Sequence, residues 1–440
     1  MKNPMLPSFK MNMLVTLLFL VSFANIASGK AETKFLTLGE ARQIALQKHP
    51  RIASAELQVL VSKQSLCEVR SSYFPVVTGN VTAVGTPQDR NNTLSAGYLA
   101  TSSIWSRQAD GIDISQLITD FGRTANVVGS AKLHSRAQEQ GALATKADIM
   151  LAVDAAYFAA LQAQSVLDVA KQTVATRQVL FDRVHEMARN NLKSDLDESF
   201  ADVDLEGSRL LEANAENELQ AAFATLSNLL DERREVLYKL RDEPLPARNL
   251  TNDWELVEAA LRNRPDLVQL RLEHDAADKY VRAERGLNYP TISAFATAGV
   301  LPIHNDAINN EYAGAGLNLR LPIFDGFLFS AREKEAQLKA QVVAENVREA
   351  ENNIIRDVRI AIQNRDYAVR QLELTAKLLA SANKAFDLAD ERYQVGSSSI
   401  VELSQAQLNQ TEARIGQAKA TYNFQVRNAI LNYQIGNGIE

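Results

Sequence analysis

The chain of 440 residues has only one cysteine, Cys67, and few aromatic residues, which make up 7% of the sequence. A single cysteine excludes an internal disulfide, so the fold has to be stabilised without covalent cross-links. Long basic runs are also lacking and the formal net charge is only −6, which argues against a nucleic-acid-binding protein. Much of the hydrophobic share of 46% is alanine, a composition unlike that of an ordinary globular core.

Residue patterns that indicate catalysis or metal binding are missing as well. The five histidines are scattered: none lies four residues from another and none lies beside a pair of cysteines. No metal site is therefore predicted. The segment AGAGLN around Gly314 matches a phosphate loop only weakly and lies within a strand pattern, so we interpret it as small residues of a strand. We expect neither a catalytic site nor a cofactor.

The N-terminal region contains the apolar run MNMLVTLLFLVSFA after two lysines. This run is shorter than the roughly 20 apolar residues that a transmembrane helix needs. Ala27 and Gly29 suit positions −3 and −1 of a signal-peptidase site, which predicts a cleaved secretory signal over residues 1–29. We expect no other segment to span a membrane as a helix. Cys67 lies too far from the cleavage site to carry an N-terminal lipid.

Proline is missing between Gln88 and Glu243 and again after Pro322. Because proline is excluded from helix interiors, most of both stretches can be long helix, and residues 123–190 alone would span about 100 Å as one helix. Apolar residues recur there at alternating steps of four and three, a stripe that indicates supercoiling against a partner helix. Periodicity alone leaves open whether these helices form a tightly packed wall or an antiparallel coiled-coil rod. The stripe residues are Ile149, Val153, Ala156, Ala160, Ala163 and Leu167 in the first stretch, and Ile354, Val358, Ala361, Ala368 and Leu372 in the second.

The spacing of the prolines indicates that the sequence is duplicated. Pro50 and Pro75 are 25 positions apart, as are Pro265 and Pro290. Each pair encloses a helical pattern that ends at an aromatic–proline dipeptide, after which the chain is extended.

Further along the chain, the segments LITDFGR and RLPIFDGF align Asp120 with Asp325, an offset of 205 positions that continues without a gap for more than a hundred residues. The sequence therefore predicts a first structural repeat over residues 30–240, a linker over 241–252 and a second repeat over 253–440.

Each repeat contains two segments with the pattern of β-strands. They read VVTGNVTAVG and GIDISQLI in the first repeat and ISAFATAGV and YAGAGLNLRL in the second. Alternating apolar and polar residues over about ten positions are typical of a transmembrane β-barrel. Four strands cannot close a barrel, and open edges are not tolerated in lipid, so the pattern leaves either a soluble sheet or a barrel shared by several chains. Aromatic residues near the strand ends would form an interfacial girdle: Tyr73, Phe74, Trp105, Tyr289, Tyr312 and Phe324.

The segments LTLGEARQIALQKHPRI, YFPVV, LPIFDGF and RYQVGSSSIVELSQAQ, in this order and spacing, resemble the TolC-type outer membrane efflux protein family over essentially the whole mature chain. The resemblance implies a mixed, mainly α fold: a duplicated long-helix α-barrel with four transmembrane β-strands per chain, completed as a twelve-stranded barrel in a homotrimer.

The same resemblance implies an exit duct in the outer membrane that extends into the periplasm. It would passively conduct substrates of an efflux pump or type I secretion system, received from an inner-membrane pump through a periplasmic adaptor (membrane fusion protein). Outer membrane lipid would surround the strands. The alternative is a periplasmic coiled-coil adaptor or structural protein with soluble sheets.

Gly396 and the serines around it interrupt a long run of helix formers. Glycine can take the left-handed conformation that ends a helix, and Ser398 or Ser399 can cap the next one, which predicts the tip of a helical hairpin. Asn191 stands at the matching position of the first repeat, and asparagine tolerates the same conformation. The resemblance implies that both tips contact the adaptor through Asn190, Asn191, Ser194, Val395, Gly396, Ser397 and Ser398.

The resemblance also places Glu402 where family members carry an acidic residue that lines the periplasmic aperture. Gln405 stands where a second acid is usual, and Asp197 matches Glu402 in the first repeat. A ring of carboxylates would attract cations, although an acid at this position of Asp197 can equally complement the helix dipole. The strand-to-helix corners carry two aspartates, expected to act as helix caps, and two glycines: Asp120, Gly122, Asp325 and Gly326.

Overall fold

The computed structural model describes residues 34–85, 92–94, 102–104, 107–232, 238–246, 252–304 and 309–437. The predicted signal peptide over residues 1–29 and the predicted girdle residue Trp105 lie outside the described residues, as does most of the second half of the predicted linker.

The helices come in two sets of four with equal lengths of 11, 21, 67 and 35 residues. Pro50 and Pro265 are the first residues of the two 21-residue helices, where the missing N–H would have no helical partner in any case. The first set is α1 (Leu38–Lys48), α2 (Pro50–Arg70), α3 (Arg123–Arg189) and α4 (Asp195–Leu229); the second is α5 (Asp253–Asn263), α6 (Pro265–Arg285), α7 (Leu328–Gln394) and α8 (Ile400–Gln434).

Helices α3 and α4 form one long hairpin, and α7 and α8 form a second. Helix α3 packs against α8, so the four long helices form a row in the order α4, α3, α8 and α7. Closer to the sheet, α3 packs against α2 and α6, and α6 packs against α7. The stripe predicted from the sequence is confirmed as a seam: all of its residues except Leu372 are buried, and Leu372 is half-buried. Its alanines let the helix backbones approach closely.

The main sheet is antiparallel, with the order β2, β5, β7 and β8. Its strands are β2 (Val76–Val84), β5 (Arg107–Thr119), β7 (Thr291–Ile303) and β8 (Glu311–Arg320), which confirms the four segments predicted from the sequence. Strands β2 and β8 are its two edges. Two small sheets accompany it: β1 (Lys34–Leu36) pairs with β6 (Tyr238–Leu240) in parallel, and β3 (Asn92–Leu94) pairs with β4 (Ser102–Ile104) in antiparallel.

The pairing register gives the main sheet one apolar and one polar face. Val77 lies opposite Ile114, and Ile292 lies opposite Leu319. The apolar face is left uncovered: its exposed side chains include Val77, Val81, Ile112, Ile114, Val300, Leu317 and Leu319. The opposite face carries mostly polar or small residues, among them Thr78, Asn80, Asp113, Ser115, Ser293, Thr297 and Asn318. Such a sheet has the polarity of a transmembrane barrel wall.

A belt at mid-height joins the beginning of the first repeat to its end, and the sequence did not predict it. Strands β1 and β6 meet beside α3, where the buried Tyr157 hydroxyl lies 2.9 Å from the Leu36 carbonyl oxygen and 2.7 Å from that of Arg241. Burial raises the pKa of Tyr157 to about 12, so the hydroxyl remains a donor. Arg42 of α1 forms two charge-assisted hydrogen bonds of 2.7 and 2.6 Å with the buried Asp154. Part of the predicted linker is therefore firmly packed.

Helix α3 also corrects one expectation. Part of it is long and apolar enough to cross a membrane, by length and composition alone, whereas the sequence was expected to contain no such segment beyond the N-terminus. Within that stretch 61% of the residues are buried against the rest of the protein. The apolar composition of this stretch of α3 is explained by its alanine-rich seam, because the seam residues face neighbouring helices.

Four pairs of residues with positive φ recur at the offset of 205 positions. They lie at the strand-to-helix corners, at the hairpin turns and at the ends of α4 and α8. The pairs are Phe121 (54°) and Gly326 (65°), Gly122 (95°) and Phe327 (67°), Asn191 (58°) and Gly396 (76°), and Asp231 (54°) and Gly436 (81°). The backbone therefore turns in the same way in both halves, even where the residue type differs.

Candidate aperture and hairpin tips

The two hairpin turns have the same backbone geometry. Asn191 and Gly396 are both left-handed, as the sequence predicts, with φ of 58° and 76°. The next N–H closes each helix: Leu192 N donates to the Met187 carbonyl, and Ser397 N donates to the Arg392 carbonyl, both over 2.9 Å. Each turn is thereby satisfied by its own chain.

The helices that leave the turns begin with serine caps. Ser194 Oγ accepts from Asp197 N over 3.2 Å, and Ser399 Oγ accepts from Glu402 N over 3.3 Å. The Asp197 carboxylate reaches back to Ser194 and completes a capping box. Of the two interpretations left open for Asp197, these contacts favour that of a helix-start acid.

Glu402 makes different contacts from its counterpart. Its Oε1 lies 2.9 Å from Arg392 Nη1, and its Oε2 accepts from Ser398 Oγ over 2.7 Å. Its side chain is 44% exposed. Glu402 is thus fixed at the tip of the second hairpin with part of its charge balanced by Arg392. Gln405, one turn further on, is exposed and donates to Asn409 Oδ1 over 3.0 Å.

The two tips of one chain lie side by side. Lys193 Nζ of the first lies 4.7 Å from the centroid of the Tyr393 ring of the second, within reach of a cation–π interaction. Below them, one apolar cluster joins both hairpins: Leu180, Val184, Ala201, Ala389, Tyr393, Ile400 and Leu403. Leu192 and Val395 remain 73% and 79% exposed. The tips therefore present exposed apolar side chains above a packed apolar cluster.

An ion pair below this cluster was not found from the sequence. Arg177 of α3, only 5% exposed, pairs with Asp204 of α4. Ser404 of α8 donates to Asp204, and Arg177 Nη1 donates to Ser404 Oγ over 3.3 Å, so three helices share one polar contact. Burial lowers the pKa of Arg177 and raises the pKa of Asp204.

The signal for this pair was present in the sequence. Arg177 lies seven residues after Ala170 and seven before Val184, and both of these residues are buried in the seam. A charged residue at a seam position predicts a buried partner.

Each strand-to-helix corner is capped by its aspartate, as expected. Asp120 Oδ2 accepts from Thr124 N over 2.7 Å, and Asp325 Oδ2 accepts from Phe329 N over 2.8 Å. The two residues after each aspartate are both left-handed, so Gly122 and Gly326 serve the same corner although their positions differ by one. Exposed aromatic rings surround this end of the sheet: Tyr73, Phe74, Phe121, Tyr289, Phe324 and Phe327. Tyr312, which the sequence placed in the girdle, lies instead on the polar face of the sheet, over Gly299. In the part of the chain that the structure describes, no group of His, Cys, Asp and Glu is arranged to hold a metal ion.

Paired long hairpins joined to a four-stranded sheet with an apolar face define the fold of outer membrane channels. The crystal structure of the outer membrane protein VceC from Vibrio cholerae has this fold, with a TM-score of 0.80, 16% identity, and coverage of 92% of this chain and 97% of that one. A structure of CusC gives a TM-score of 0.76 at 20% identity, with coverage of 91% and 92%. The chain belongs to the outer membrane efflux protein family, whose model matches residues 41–232 and 256–437.

Curated relatives agree with this family assignment. The outer membrane protein TolC of Vibrio cholerae is 24% identical over 410 residues, which cover 89% of this chain and 90% of that protein. The cation efflux system protein CusC of Escherichia coli K12 is 21% identical over 408 residues, covering 90% and 85%. The chain is therefore an outer membrane efflux channel, and the alternative of a periplasmic adaptor is set aside.

Proposed function

We propose that this channel works as a homotrimer that passively conducts substrates from an inner-membrane pump, with no catalytic step of its own and with a periplasmic adaptor between pump and channel. The observation that carries the proposal is the four-stranded sheet with two unpaired edges and an exposed apolar face. Unpaired edges are not tolerated in lipid. In a closed ring of three sheets, β8 of one chain would pair with β2 of the next.

Exposed apolar stripes on the outermost helices support the same assembly. On α4 the stripe consists of Leu196, Phe200, Val203 and Leu210; on α7 it consists of Ile360, Tyr367, Leu374 and Leu388. Both follow heptad spacing, which is typical of helices that pack side by side. Nearer the sheet, Leu57, Leu60 and Val61 of α2 are equally exposed, as are Leu338 and Val342 of α7. Neighbouring chains would cover these side chains, because stripes of this kind are costly in water.

The chain organisation that accompanies this proposal has a cleaved signal over residues 1–29, repeats over 30–240 and 253–440 and a linker over 241–252. The equal helix lengths and the recurrent left-handed residues support the two repeats. The exposed Leu192 and Val395 at the tips would meet the adaptor, together with the polar turn residues Asn190, Asn191, Ser194, Gly396, Ser397 and Ser398.

The mature protein should purify as a detergent-stable trimer that forms conducting pores in planar lipid bilayers. The physical reason is that one chain leaves two sheet edges unpaired. Light scattering measures the mass of the protein in detergent, and single-channel recording measures conduction. A monodisperse monomer, or a trimer that never conducts, would refute the proposal.

Glu402 is proposed to line the periplasmic aperture. Around a three-fold axis it would form a ring of carboxylates, each held in place by Ser398 and partly balanced by Arg392. Gln405 next to it adds no charge, and Asp197 is engaged as a helix cap. The electrostatic potential at the aperture would therefore depend mainly on two residues: Glu402 would make it more negative, and Arg392 would make it less negative.

Substituting Glu402→Gln should raise the concentration of hexamminecobalt(III) that half-blocks the channel at least about fivefold, since each lost carboxylate weakens the attraction for a trivalent cation. Arg392→Gln should lower that concentration, because it removes the balancing charge. Single-channel recording with the blocker on the periplasmic side measures both. Glu391→Gln, an equal charge change outside this ion pair, is the control. Block of the Glu402→Gln channel at the wild-type concentration would show that Glu402 does not line the aperture.

A further inference from the structure

Two aromatic side chains on the polar face of the main sheet lie over glycines of the neighbouring strands, where any larger residue would collide with them. Gly111, Gly299 and Tyr312 lie directly opposite one another on three strands. A Cβ atom at Gly111 would come within 2.1 Å of the Tyr312 hydroxyl oxygen, and one at Gly299 within 2.6 Å of Tyr312 Cζ. The Tyr312 ring therefore crosses both glycines.

Phe295 is placed in the same way two rows further along the strands. It lies opposite Gly316, where an added Cβ would come within 2.8 Å of Phe295 Cζ. The Phe295 side chain is still 48% exposed. Each ring consequently lies over the backbone of a neighbouring strand, and the surface that it leaves uncovered is turned to the interior of the proposed barrel.

The row between the two rings carries a carboxylate. Asp113 lies opposite Thr297, and Thr297 lies opposite Gly314, on the same polar face. The row is about 7 Å from each aromatic row, at roughly 3.4 Å per residue of strand. At Gly314 an added Cβ would touch only Thr297, at 3.9 Å, so the sheet has a shallow hollow there.

The charge of Asp113 is not balanced by a base in the described part of the chain. Asn80 donates a hydrogen bond to it, and among the residues that the structure describes no lysine or arginine forms an ion pair with it. A carboxylate beside exposed aromatic faces is the arrangement that recognises organic cations, since the ring faces and the carboxylate attract the same charge.

We propose that Asp113, with the Tyr312 and Phe295 rings above and below it, forms a low-affinity binding site for flat organic cations on the inner wall of the β-barrel. The inference rests on the proposed function, because the polar face has to line the interior of the pore. A flat aromatic cation would stack on a ring while its charge approaches Asp113; a compact cation would gain the electrostatic attraction of the ring faces and the carboxylate but no stacking area.

Ethidium, a flat aromatic monocation, is the probe, and tetramethylammonium is the comparison with equal charge and no ring. Ethidium binding to the purified protein in detergent is followed by fluorescence anisotropy, and block by both cations is recorded in planar bilayers. We expect Asp113→Asn, which keeps the shape of the side chain and its bond to Asn80, to weaken ethidium binding about fivefold. Phe295→Leu should weaken ethidium binding more than tetramethylammonium block, because both cations lose the attraction of the ring but only ethidium loses stacking area.

Asp110→Asn is the matched control. Asp110 lies three residues away on β5, opposite Val300 on the other face of the sheet, and accepts a hydrogen bond from Gln108 over 2.8 Å. Ethidium affinity should be unchanged in this variant. Equal affinity of wild type and Asp113→Asn, in a protein that conducts, would overturn the site and leave the channel function intact. A protein that neither assembles nor conducts would overturn both.

Discussion

Replacing Asp204 with alanine should destabilise the hairpins next to their tips by about 3–5 kcal/mol, the cost of leaving one member of a buried ion pair unpaired. Arg177 is 5% exposed, so its guanidinium would stay largely buried without a carboxylate partner. Ser404 of α8 would also lose its acceptor, so the contact between the two hairpins weakens as well. Native-state hydrogen exchange of amides in α3, α4 and α8 near this level measures the local free energy of opening.

The double substitution of Arg177→Met with Asp204→Leu should recover most of that loss. Buried ion pairs bring little net stability, because the cost of desolvation offsets the attraction, and apolar replacements of similar size are often neutral or better. Glu206→Ala is the control: it breaks the exposed pair of Glu206 with Arg209, and such pairs contribute at most about 1 kcal/mol. If these amides exchange no faster in the Asp204→Ala protein than in the Glu206→Ala protein, the pair of Arg177 and Asp204 is not buried as described.

Three substitutions of glycine by alanine in the second hairpin should change stability in a graded series. Gly416 lies inside α8 with open space around it, so alanine should stabilise the helix by about 0.5–1 kcal/mol. Gly396 has open space but a φ of 76°, so alanine should cost about 1–2 kcal/mol. Gly436 has a φ of 81° and lies so close to α5 that a Cβ would be 2.9 Å from Asn263 Cβ. There the cost of overpacking, about 1–3 kcal/mol, is added to that of the backbone.

Hydrogen exchange of the amides within one turn of each site measures the three effects. The series separates the backbone cost from the steric cost, because the chemical change is the same in all three variants. Asp231, the counterpart of Gly436, has the same left-handed conformation with a side chain present, which indicates that the backbone cost alone is tolerable. Equal effects of Gly396→Ala and Gly436→Ala would contradict the close contact at Asn263.

The long elements could be predicted from the sequence because each has a strong local signal. The absence of proline and the seam of small residues predicted one helix over residues 123–190, and α3 covers Arg123–Arg189. The four strands followed from alternation, and the tip at Gly396 followed from the backbone freedom of glycine. At the first tip the prediction held because asparagine also accepts a positive φ.

The features that were missed depend on contacts between distant parts of the chain. Strands β1 and β6 are only three residues each and are separated by about two hundred positions, so neither has a periodic pattern to detect. Phe121 and Phe327 are left-handed although the residue type disfavours it, since the corner imposes that conformation on both residues after the aspartate. The contact of Glu402 with Arg392 forms across a turn, between residues ten positions apart.

The equal lengths of the corresponding helices, 67 residues for α3 and α7 and 35 for α4 and α8, have a mechanical consequence. Both hairpins of a chain start from the same sheet and end at the same height, so an assembly of several chains would have a level rim. A flat, ring-shaped partner could then contact every tip at the same time, with an equal interface at each. An insertion of seven residues into each of α7 and α8 would extend the second tip by about 10 Å. Such a partner would then contact only the second tip of each chain.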